Sequence, residues 1–359
     1  MEWSVCVLEV GWGRQVFSKI ISRKPRIHTR ILSIDGGGVR GIVAATILAH
    51  LETKLQKLSS NPEVRLVDYF DLFAGTSTGA MIVASLLSPD KNGRPKYTAA
   101  EIIKLYLKDS ETIFKSSFIQ GIKSASGLLD VKYNAEGIEL ICEQYFGAIE
   151  LKQLLKPCLI PAYNLTSGNS YFFRQHLAKT DENHNYLLKD IIRATTSAPT
   201  YFPPAQIQNI KNTNKSCFVD GGIFAVNPAL SAYAEFRRLN NKLSSENTLV
   251  LSLGTGKQNT VLDCEQIQHW GAVEWRDPGS NLISTALAER SHQELAAVYC
   301  DNQNYLRLNP EIDEKHSSSL DNCDSDYLKF LHNLGKKFVA NNKKQLNNFA
   351  KRLLKSQKN

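Results

Sequence analysis

The sequence predicts an α/β fold with a mainly parallel central sheet. Two segments support this prediction, because in each of them a short apolar strand leads through a glycine-containing turn into a helix. The first segment covers residues 30–58 and the second covers residues 71–87. Repeated units of strand, turn and helix favour parallel strands joined by crossover helices. A continuous apolar run at residues 248–253 adds a strand that is buried on both faces.

The first unit contains a glycine loop, Asp-Gly-Gly-Gly-Val-Arg-Gly at residues 35–41, between its strand and its helix. Consecutive N–H groups without side chains at the start of a helix form a concave site for negative charge. A phosphate-binding loop is one interpretation, but its Gly-Lys-Ser/Thr pattern is absent here. A later Gly-Thr-Gly-Lys run, at residues 254–257, is followed by Gln258, which has no hydroxyl for magnesium. The sequence favours an oxyanion hole in which Gly36, Gly37 and Gly38 donate N–H groups to an attacked ester.

The second unit has the pattern of a nucleophile elbow, with Ser77 between Gly75 and Gly79. Glycine on both sides lets the chain turn sharply and lets the strand and the helix approach closely, so the hydroxyl is exposed at the turn. The motif alone is weak, since composition produces a match by chance in roughly one sequence in ten of this length. The apolar strand before the turn and the apolar helix after it supply the context that the motif requires.

An acid, Asp220, ends a short strand at residues 217–220 and is followed by two glycines. The sequence places it at the carboxyl edge of the sheet, where α/β proteins hold their ligands. The alternative interpretation is a turn or cap residue, which is the commoner role of an isolated Asp-Gly-Gly. A catalytic serine needs a proton acceptor, and the eight histidines lie in no motif that presents one at a sheet edge. Asp220 is therefore the better partner for Ser77.

The segments between these motifs alternate helices, strands and loops. Thr98 and Glu101 form a capping box that opens a helix at residues 99–109. Residues 116–133 are weakly patterned and contain glycine, which predicts a loop over the site. Further helices are predicted at residues 61–70, 135–145, 187–197, 227–239 and 281–299, and further strands at residues 158–160 and 170–173.

Composition argues against several classes of protein. With 42% hydrophobic residues the chain can bury a substantial core, but its longest apolar runs are far shorter than the ~20 residues of a membrane span. Residues 1–30 lack the pattern of a secretory signal peptide. The seven cysteines show no C-x-x-C spacing, which argues against disulfides and a metal site and favours a reducing compartment. We expect a cytoplasmic or peripheral membrane location, with export by a non-classical route left open.

The net charge of +8 is located in the tail, because residues 335–359 contain eight basic residues and no acid. The rest of the chain is formally neutral, which argues against a nucleic acid partner. Apolar residues recur every three or four positions from Leu328 to Leu353 and predict a basic amphipathic tail. Two roles are compatible and stay open: docking of the apolar side onto the body, and binding of the lysines to an anionic membrane surface.

Four motifs, in this order, resemble the signature of patatin-like phospholipases: the glycine loop, the Gly-Thr-Ser-Thr-Gly turn, Ala-Pro-Thr-Tyr-Phe-Pro-Pro at residues 198–204 and Asp-Gly-Gly at residues 220–222. The resemblance extends to about Arg307 and is close to plant patatins as well as to bacterial relatives. It implies a patatin-like three-layer α/β/α fold. The implied division is an N-terminal extension at residues 1–30, a catalytic domain at 31–310 and a basic helical segment at 311–359 that packs on the domain.

By this resemblance, Ser77 is the nucleophile and Asp220 is its partner in a Ser-Asp dyad. The three glycines form the oxyanion hole, with Arg40 beside it. The family hydrolyses acyl esters of phospholipids and related lipids through an acyl-enzyme, without a metal or another cofactor. Some bacterial relatives are activated by a host protein or a nucleotide signal, but no residue here identifies such an activator. A catalytically silent lipid-binding or regulatory member and a nucleotide-binding α/β protein are the alternatives.

Overall fold

The computed structural model of the chain describes residues 27, 29–114, 131–241, 243–258, 263–271, 279–300, 303–313, 315 and 319–357. The predicted extension at residues 1–30 and the predicted loop at residues 116–133 lie mostly outside this part of the chain. The first described strand begins at Thr29, slightly before the predicted start of the catalytic domain.

The described strands are β1 (Thr29–Ile34), β2 (Leu72–Gly75), β3 (Cys158–Asn164), β4 (Asn169–Arg174), β5 (Ala205–Gln208), β6 (Lys215–Asp220), β7 (Thr248–Leu253), β8 (Lys257–Gln258), β9 (Tyr305–Leu308) and β10 (Glu311–Ile312). The main sheet has the order β5, β6, β3, β2, β1, β7 and β9, and β4 also pairs with β3. Strands β3, β2, β1, β7 and β9 are parallel, whereas β4, β5 and β6 are antiparallel to their neighbours. The prediction of a mainly parallel sheet is confirmed. Strands β8 and β10 form a separate parallel pair.

Helices cover both faces of the main sheet. The longer ones are α1 (Gly41–Ser59), α2 (Thr78–Leu87), α3 (Ala99–Ile113), α4 (Glu136–Phe146), α5 (Leu188–Thr195), α6 (Ala229–Leu239), α7 (Gly279–Tyr299), α8 (Ser325–Asn341) and α9 (Lys343–Gln357). Four-residue helices lie at Gln175–Ala178, Gly222–Ala225 and Cys264–Ile267. No helix among the described residues combines the length and the apolar character that crossing a bilayer requires.

The two faces of the sheet carry separate apolar clusters, because side chains alternate along each strand. In β1, Leu32 and Ile34 belong to a large cluster that also contains residues of α1, α2, α3, α8 and α9. Ile31 belongs to a smaller cluster with residues of α6 and α7. The sheet is therefore the middle of three layers, and β2 is buried along its whole length.

Most predicted elements are present, but the helix predicted at residues 61–70 is wrong. The side chain of Asn61 instead accepts a backbone N–H two residues later at 2.9 Å, a local turn that competes with a helix. Only a short 3-10 helix follows, at Leu66–Asp68. The capping box predicted at Thr98 and Glu101 is present and opens α3.

The basic tail forms two helices, α8 and α9, which meet at Asn342 and pack against α1. Their apolar sides are buried in the large cluster, through Leu328, Leu331, Leu346, Phe349 and Leu353. Docking of the tail, one of the two roles left open by the sequence, is therefore what the fold shows. The opposite sides still expose lysines, among them Lys336, Lys337, Lys343, Lys344 and Lys351.

Candidate active site

The turn between β2 and α2 holds Ser77 in a left-handed backbone conformation, with φ of 53° and ψ of −121°. Such a conformation is strained for a residue other than glycine and is typical of a nucleophile elbow. Both neighbouring glycines are needed sterically. A Cβ atom at Gly75 would lie 2.4 Å from the carbonyl oxygen of Gly79, and one at Gly79 would lie 2.3 Å from that of Ile34.

The sheet topology brings Asp220 to this turn. Strand β4 pairs with β3 from Leu159 to Asn164 and so occupies one edge of that strand. Strands β2 and β6 must share the other edge, where they pair with the first and the last residues of β3 respectively. Because β6 is antiparallel, its C-terminal end approaches the C-terminal end of β2. Asp220 thus lies near the carboxyl ends of parallel strands, as expected, but it arrives from an antiparallel strand.

The side chains of Ser77 and Asp220 lie within hydrogen-bonding reach of each other, and the Ser77 hydroxyl lowers the pKa of the Asp220 carboxyl. The carboxylate also accepts a hydrogen bond from the N–H of Gly222, at 2.7 Å from Oδ1. Asp220 is almost fully buried. Burial raises the pKa of its carboxyl to about 6, against the lowering effect of the two hydrogen bonds. The carboxylate can therefore accept a proton near neutral pH.

A further residue, Thr195 at the end of α5, fixes the backbone of the elbow. Its hydroxyl oxygen accepts the N–H of Ser77 at 3.1 Å, and the same hydroxyl donates to the carbonyl of Pro161 at 2.6 Å. No pattern in the sequence indicates this role. Thr195 lies in a helix far along the chain from the elbow, so only the folded topology shows the contact.

The glycine loop lies beside the elbow, but its N–H groups are not equivalent. Gly36 donates to the carbonyl of Val226 at 3.0 Å, and Arg40 donates its backbone N–H to Gly37 at 3.2 Å. Both N–H groups are therefore occupied, which corrects the assignment of Gly36 as an oxyanion donor. The N–H groups of Gly37 and Gly38 have no acceptor among the described residues. These two are the available donors.

The C-terminal segment holds the far side of the glycine loop. The carbonyl of Leu320 accepts the N–H of Val39 at 2.8 Å. Gly38 has a φ of 56°, and a Cβ atom there would lie 2.0 Å from the same carbonyl oxygen. Glycine is thus required at this position both by its backbone conformation and by the close approach of Leu320.

Arg40 itself lies in the wall of the cavity with its side chain buried. Burial lowers the pKa of its guanidinium, and the neighbouring hydroxyls of Tyr327 and Tyr201 oppose that effect. The predicted position of Arg40 beside the glycine loop therefore agrees with the structure. Its interactions link the loop to α8.

A buried ion pair anchors the other end of the glycine loop. The guanidinium of Arg307 contacts both carboxylate oxygens of Asp35, at 2.8 and 2.5 Å, and donates to the hydroxyl of Ser252 at 2.9 Å. The hydroxyl of Thr255 donates to the carbonyl of Gly36 at 2.8 Å. These contacts tie the end of β1 to β7 and β9. An acid at the start of the loop was visible in the sequence, but its partner was not.

A cavity of about 650 Å³ opens over Ser77, Asp220 and the glycine loop. One flank is apolar and is formed largely by side chains of α2, α3 and the segment after α5, among them Met81, Leu105, Ile113, Phe114 and Phe202. Tyr106 marks where this flank reaches the elbow, because its hydroxyl lies 2.5 Å from that of Thr78. Such a flank suits an aliphatic chain.

Two kinds of group are missing from this cavity among the described residues. No histidine lines it, so Asp220 is the group there that contacts Ser77 and can take up a proton near neutral pH. The described part of the chain also contains no cluster of His, Cys, Asp and Glu side chains that could hold a metal ion. His28 and His316 lie outside the described residues.

Comparison with known proteins adds independent information. The family model described as patatin-like phospholipase matches residues 32–233. Patatin-like protein 4 of Arabidopsis thaliana is 31% identical over 339 residues, which cover 88% of this chain and 84% of that protein. A potato protein, from Solanum tuberosum, named probable inactive patatin-3-Kuras 1 is 33% identical over 297 residues and 77% of each chain. The crystal structure of VipD from Legionella pneumophila matches at 12% identity with a TM-score of 0.37, over 90% of this chain and 72% of that one.

Proposed function

We propose that this chain, which belongs to the patatin-like phospholipase family, is a lipid acyl hydrolase of the phospholipase A or lysophospholipase type. The observation that carries the proposal is the position of Ser77, held on a strained elbow within hydrogen-bonding reach of the buried carboxylate of Asp220. The two residues then act as a dyad in which Asp220 is the general base.

The reaction begins when Oγ of Ser77 attacks the carbonyl carbon of the ester while its proton moves to Asp220. The negative charge on the former carbonyl oxygen is stabilised by the N–H groups of Gly37 and Gly38. Collapse of this intermediate breaks the ester bond, and Asp220 returns the proton to the departing alcohol. Water then attacks the acyl-serine and gives its proton to Asp220. The bond between the acyl group and Oγ of Ser77 breaks as Asp220 returns that proton to Oγ, which releases the fatty acid and restores Ser77. No step uses a metal or a cofactor.

The shape of the cavity supports a lipid as the substrate. A chain bound along the apolar flank would contact side chains of α2 and α3 and place its carbonyl near Ser77. Burying apolar surface gives roughly 25 cal/mol per Å², so a long acyl chain can supply much of the binding free energy. A small polar ester would leave this flank unfilled.

The alternative within the same fold is a catalytically silent lipid-binding or regulatory protein. One potato relative is named as probably inactive, so membership of the family does not by itself establish activity. The contact between Ser77 and Asp220, and the two available N–H groups beside it, favour the active enzyme. A silent protein has no need to keep the strained backbone of Ser77.

An anionic membrane surface is the second partner in this proposal. Several exposed lysines of α8 and α9 can face a bilayer while the apolar sides of both helices are docked, among them Lys336, Lys337, Lys343, Lys344 and Lys351. Lys344 and Lys351 are two turns apart and so lie on one side of α9. Each lysine near such a surface contributes about 1 kcal/mol of binding free energy. We therefore place the enzyme at the membrane as a peripheral protein. The six cysteines that the structure describes form no disulfide.

The decisive experiment is labelling with a serine-reactive fluorophosphonate. The wild type should be labelled and Ser77→Ala should not, because the reagent reports an activated serine with access to the oxyanion donors. Asp220→Asn should lower kcat by about 10³ or more, the loss typical of removing a general base. The matched control is Ser85→Ala. Ser85 is a buried serine on α2, the helix that follows the elbow, and its hydroxyl donates to the carbonyl of Met81. Equal labelling of wild type and Ser77→Ala would refute the assignment.

A further inference from the structure

A second cavity, of about 380 Å³, adjoins the catalytic one. The two cavities share Lys257, Glu289 and Asn309 in their walls. The second cavity is surrounded mainly by polar side chains, including those of His292 and Arg307. A ligand that extends from the catalytic cavity into the second one therefore passes from an apolar to a polar environment.

The shared wall and the apolar flank of the catalytic cavity, here called the acyl flank, border different ends of the glycine loop. A Cβ atom at Gly37 would meet the Thr255 hydroxyl at 2.1 Å, so the polar end of the cavity borders the first half of the glycine loop. A Cβ atom at Gly41 would meet the Tyr106 hydroxyl at 2.3 Å, so the acyl flank borders the other end. An ester whose carbonyl lies at Ser77 with its acyl chain on the apolar side directs its alcohol part towards Lys257.

The polar cavity presents charges of both signs. Lys257 is partly buried, and its ion pair with the exposed Glu311 is long, at 3.7 Å. Glu311 is therefore a weak competitor with a ligand for the charge of Lys257. The Nε–H of the buried Arg307 has no acceptor among the described residues. Glu289 supplies a carboxylate in the same wall. Burial lowers the pKa of His292, and the positive charges of Arg307 and Lys257 add to this effect while Glu289 opposes it.

From this arrangement we infer that the second cavity binds the zwitterionic head group of a glycerophospholipid. Lys257 contacts the phosphate, and Glu289 contacts the positively charged nitrogen of a choline or ethanolamine group. The inference rests on the proposed function, because the head group belongs to the lipid whose ester lies at Ser77. Opposite charges on the ligand and on the wall give specificity against lipids that lack one of them.

The test compares three lipids with identical acyl chains: phosphatidylcholine, phosphatidylglycerol and diacylglycerol. They are presented at equal mole fraction in micelles of a neutral detergent, and kcat/KM is measured for each. Lys257→Gln should lower the ratio of phosphatidylcholine to diacylglycerol turnover by at least about tenfold, since a charge-assisted hydrogen bond is lost. Glu289→Gln should lower the ratio of phosphatidylcholine to phosphatidylglycerol turnover. Lys215→Gln and Glu63→Gln, which change exposed side chains elsewhere, should keep the wild-type ratios.

A soluble compound separates a head-group site from a regulatory anion site. Phosphocholine should inhibit hydrolysis of phosphatidylcholine competitively and leave turnover of p-nitrophenyl butyrate by the wild type unchanged. A phosphocholine effect on p-nitrophenyl butyrate would indicate a regulatory site and would overturn the inference. Unaltered lipid ratios in both cavity variants would also overturn it while leaving the acyl hydrolase intact. If the wild type cleaves none of these esters, the proposed function itself fails.

Discussion

The raised pKa of Asp220 makes the pH dependence of hydrolysis the sharpest test of the dyad. A general base must be ionised to accept the proton of Ser77, and burial raises the pKa of this carboxyl to about 6. With that value, about 90% of the enzyme is active at pH 7 and about 10% at pH 5. We therefore expect kcat/KM to fall roughly tenfold between pH 7 and pH 5, with one inflection near pH 6.

The assay uses p-nitrophenyl butyrate, with the released phenol read after an alkaline quench so that its own ionisation does not distort the profile. Circular dichroism at each pH shows whether the protein stays folded. In Asp220→Asn the residual rate should lose the inflection at pH 6, because the titrating group is gone. A histidine base would give a similar inflection near pH 6.5.

Single His→Ala variants distinguish the two cases. Each described histidine lies outside the catalytic cavity, so each variant should keep the wild-type profile and most of the activity. One folded His→Ala variant as inactive as Asp220→Asn would refute the role of Asp220 as the general base. A wild-type profile that is flat from pH 5 to pH 7 would refute it equally.

Three further predictions follow from the packing around the site. Gly38→Ala should abolish fluorophosphonate labelling, because the new Cβ atom would lie 2.0 Å from the carbonyl oxygen of Leu320. Gly36→Ala should keep the labelling, because no atom lies nearer than 3.4 Å to its new Cβ atom. Equal labelling of the two variants would contradict this prediction. Asp220→Asn should raise Tm by several degrees at pH 7 and by much less at pH 4. A carboxyl with a pKa of about 6 costs the folded state about 3 kcal/mol at pH 7 but only about 0.5 kcal/mol at pH 4, which is close to its unfolded pKa. An unchanged Tm at pH 7 would mean that burial of the charge is not costly. Changing Lys336, Lys337, Lys343, Lys344 and Lys351 to Gln should weaken sedimentation with phosphatidylserine vesicles and leave hydrolysis of a short soluble ester unchanged. Unaltered sedimentation would show that these lysines only face solvent.

The lysine variant leaves Arg352 in place. The sequence alone groups this residue with the other basic residues of the tail. In the structure its guanidinium contacts the carbonyl of Gln303 and the side chain of Asn304, and burial lowers its pKa. Replacing it would disturb the start of β9, so it would confuse a loss of membrane binding with a loss of structure.

The elements that the sequence predicts best are those whose cause is local. The elbow needs glycine at two positions for steric reasons within a few residues, and the capping box of α3 joins Thr98 to Glu101. The helix wrongly predicted at residues 61–70 also has a local cause. A turn at Asn61 competes with helix formation there, and the apolar pattern over so short a segment carried little information.

The partners of the site residues depend on topology, and no local pattern contains them. Asp220 meets Ser77 because β6 and β2 share an edge of β3, which follows from strand pairing across many intervening residues. Arg307 meets Asp35 because β9 lies next but one to β1 in the sheet. A buried carboxylate needs a cationic partner, but no pattern around Asp35 in the sequence identifies Arg307.

The glycine loop shows how a predicted boundary can divide one functional unit. A division at residue 310 assigns the catalytic chemistry to the segment before it and a supporting role to the tail. However, the carbonyl of Leu320 holds Val39, and the neighbouring Asp321 accepts the hydroxyl of Tyr133 at 2.6 Å. Asp321 also pairs with Lys132 at 2.5 Å. Because the segment after residue 310 contacts both the glycine loop and the chain at residues 132–133, its position is coupled to the geometry of the proposed active site.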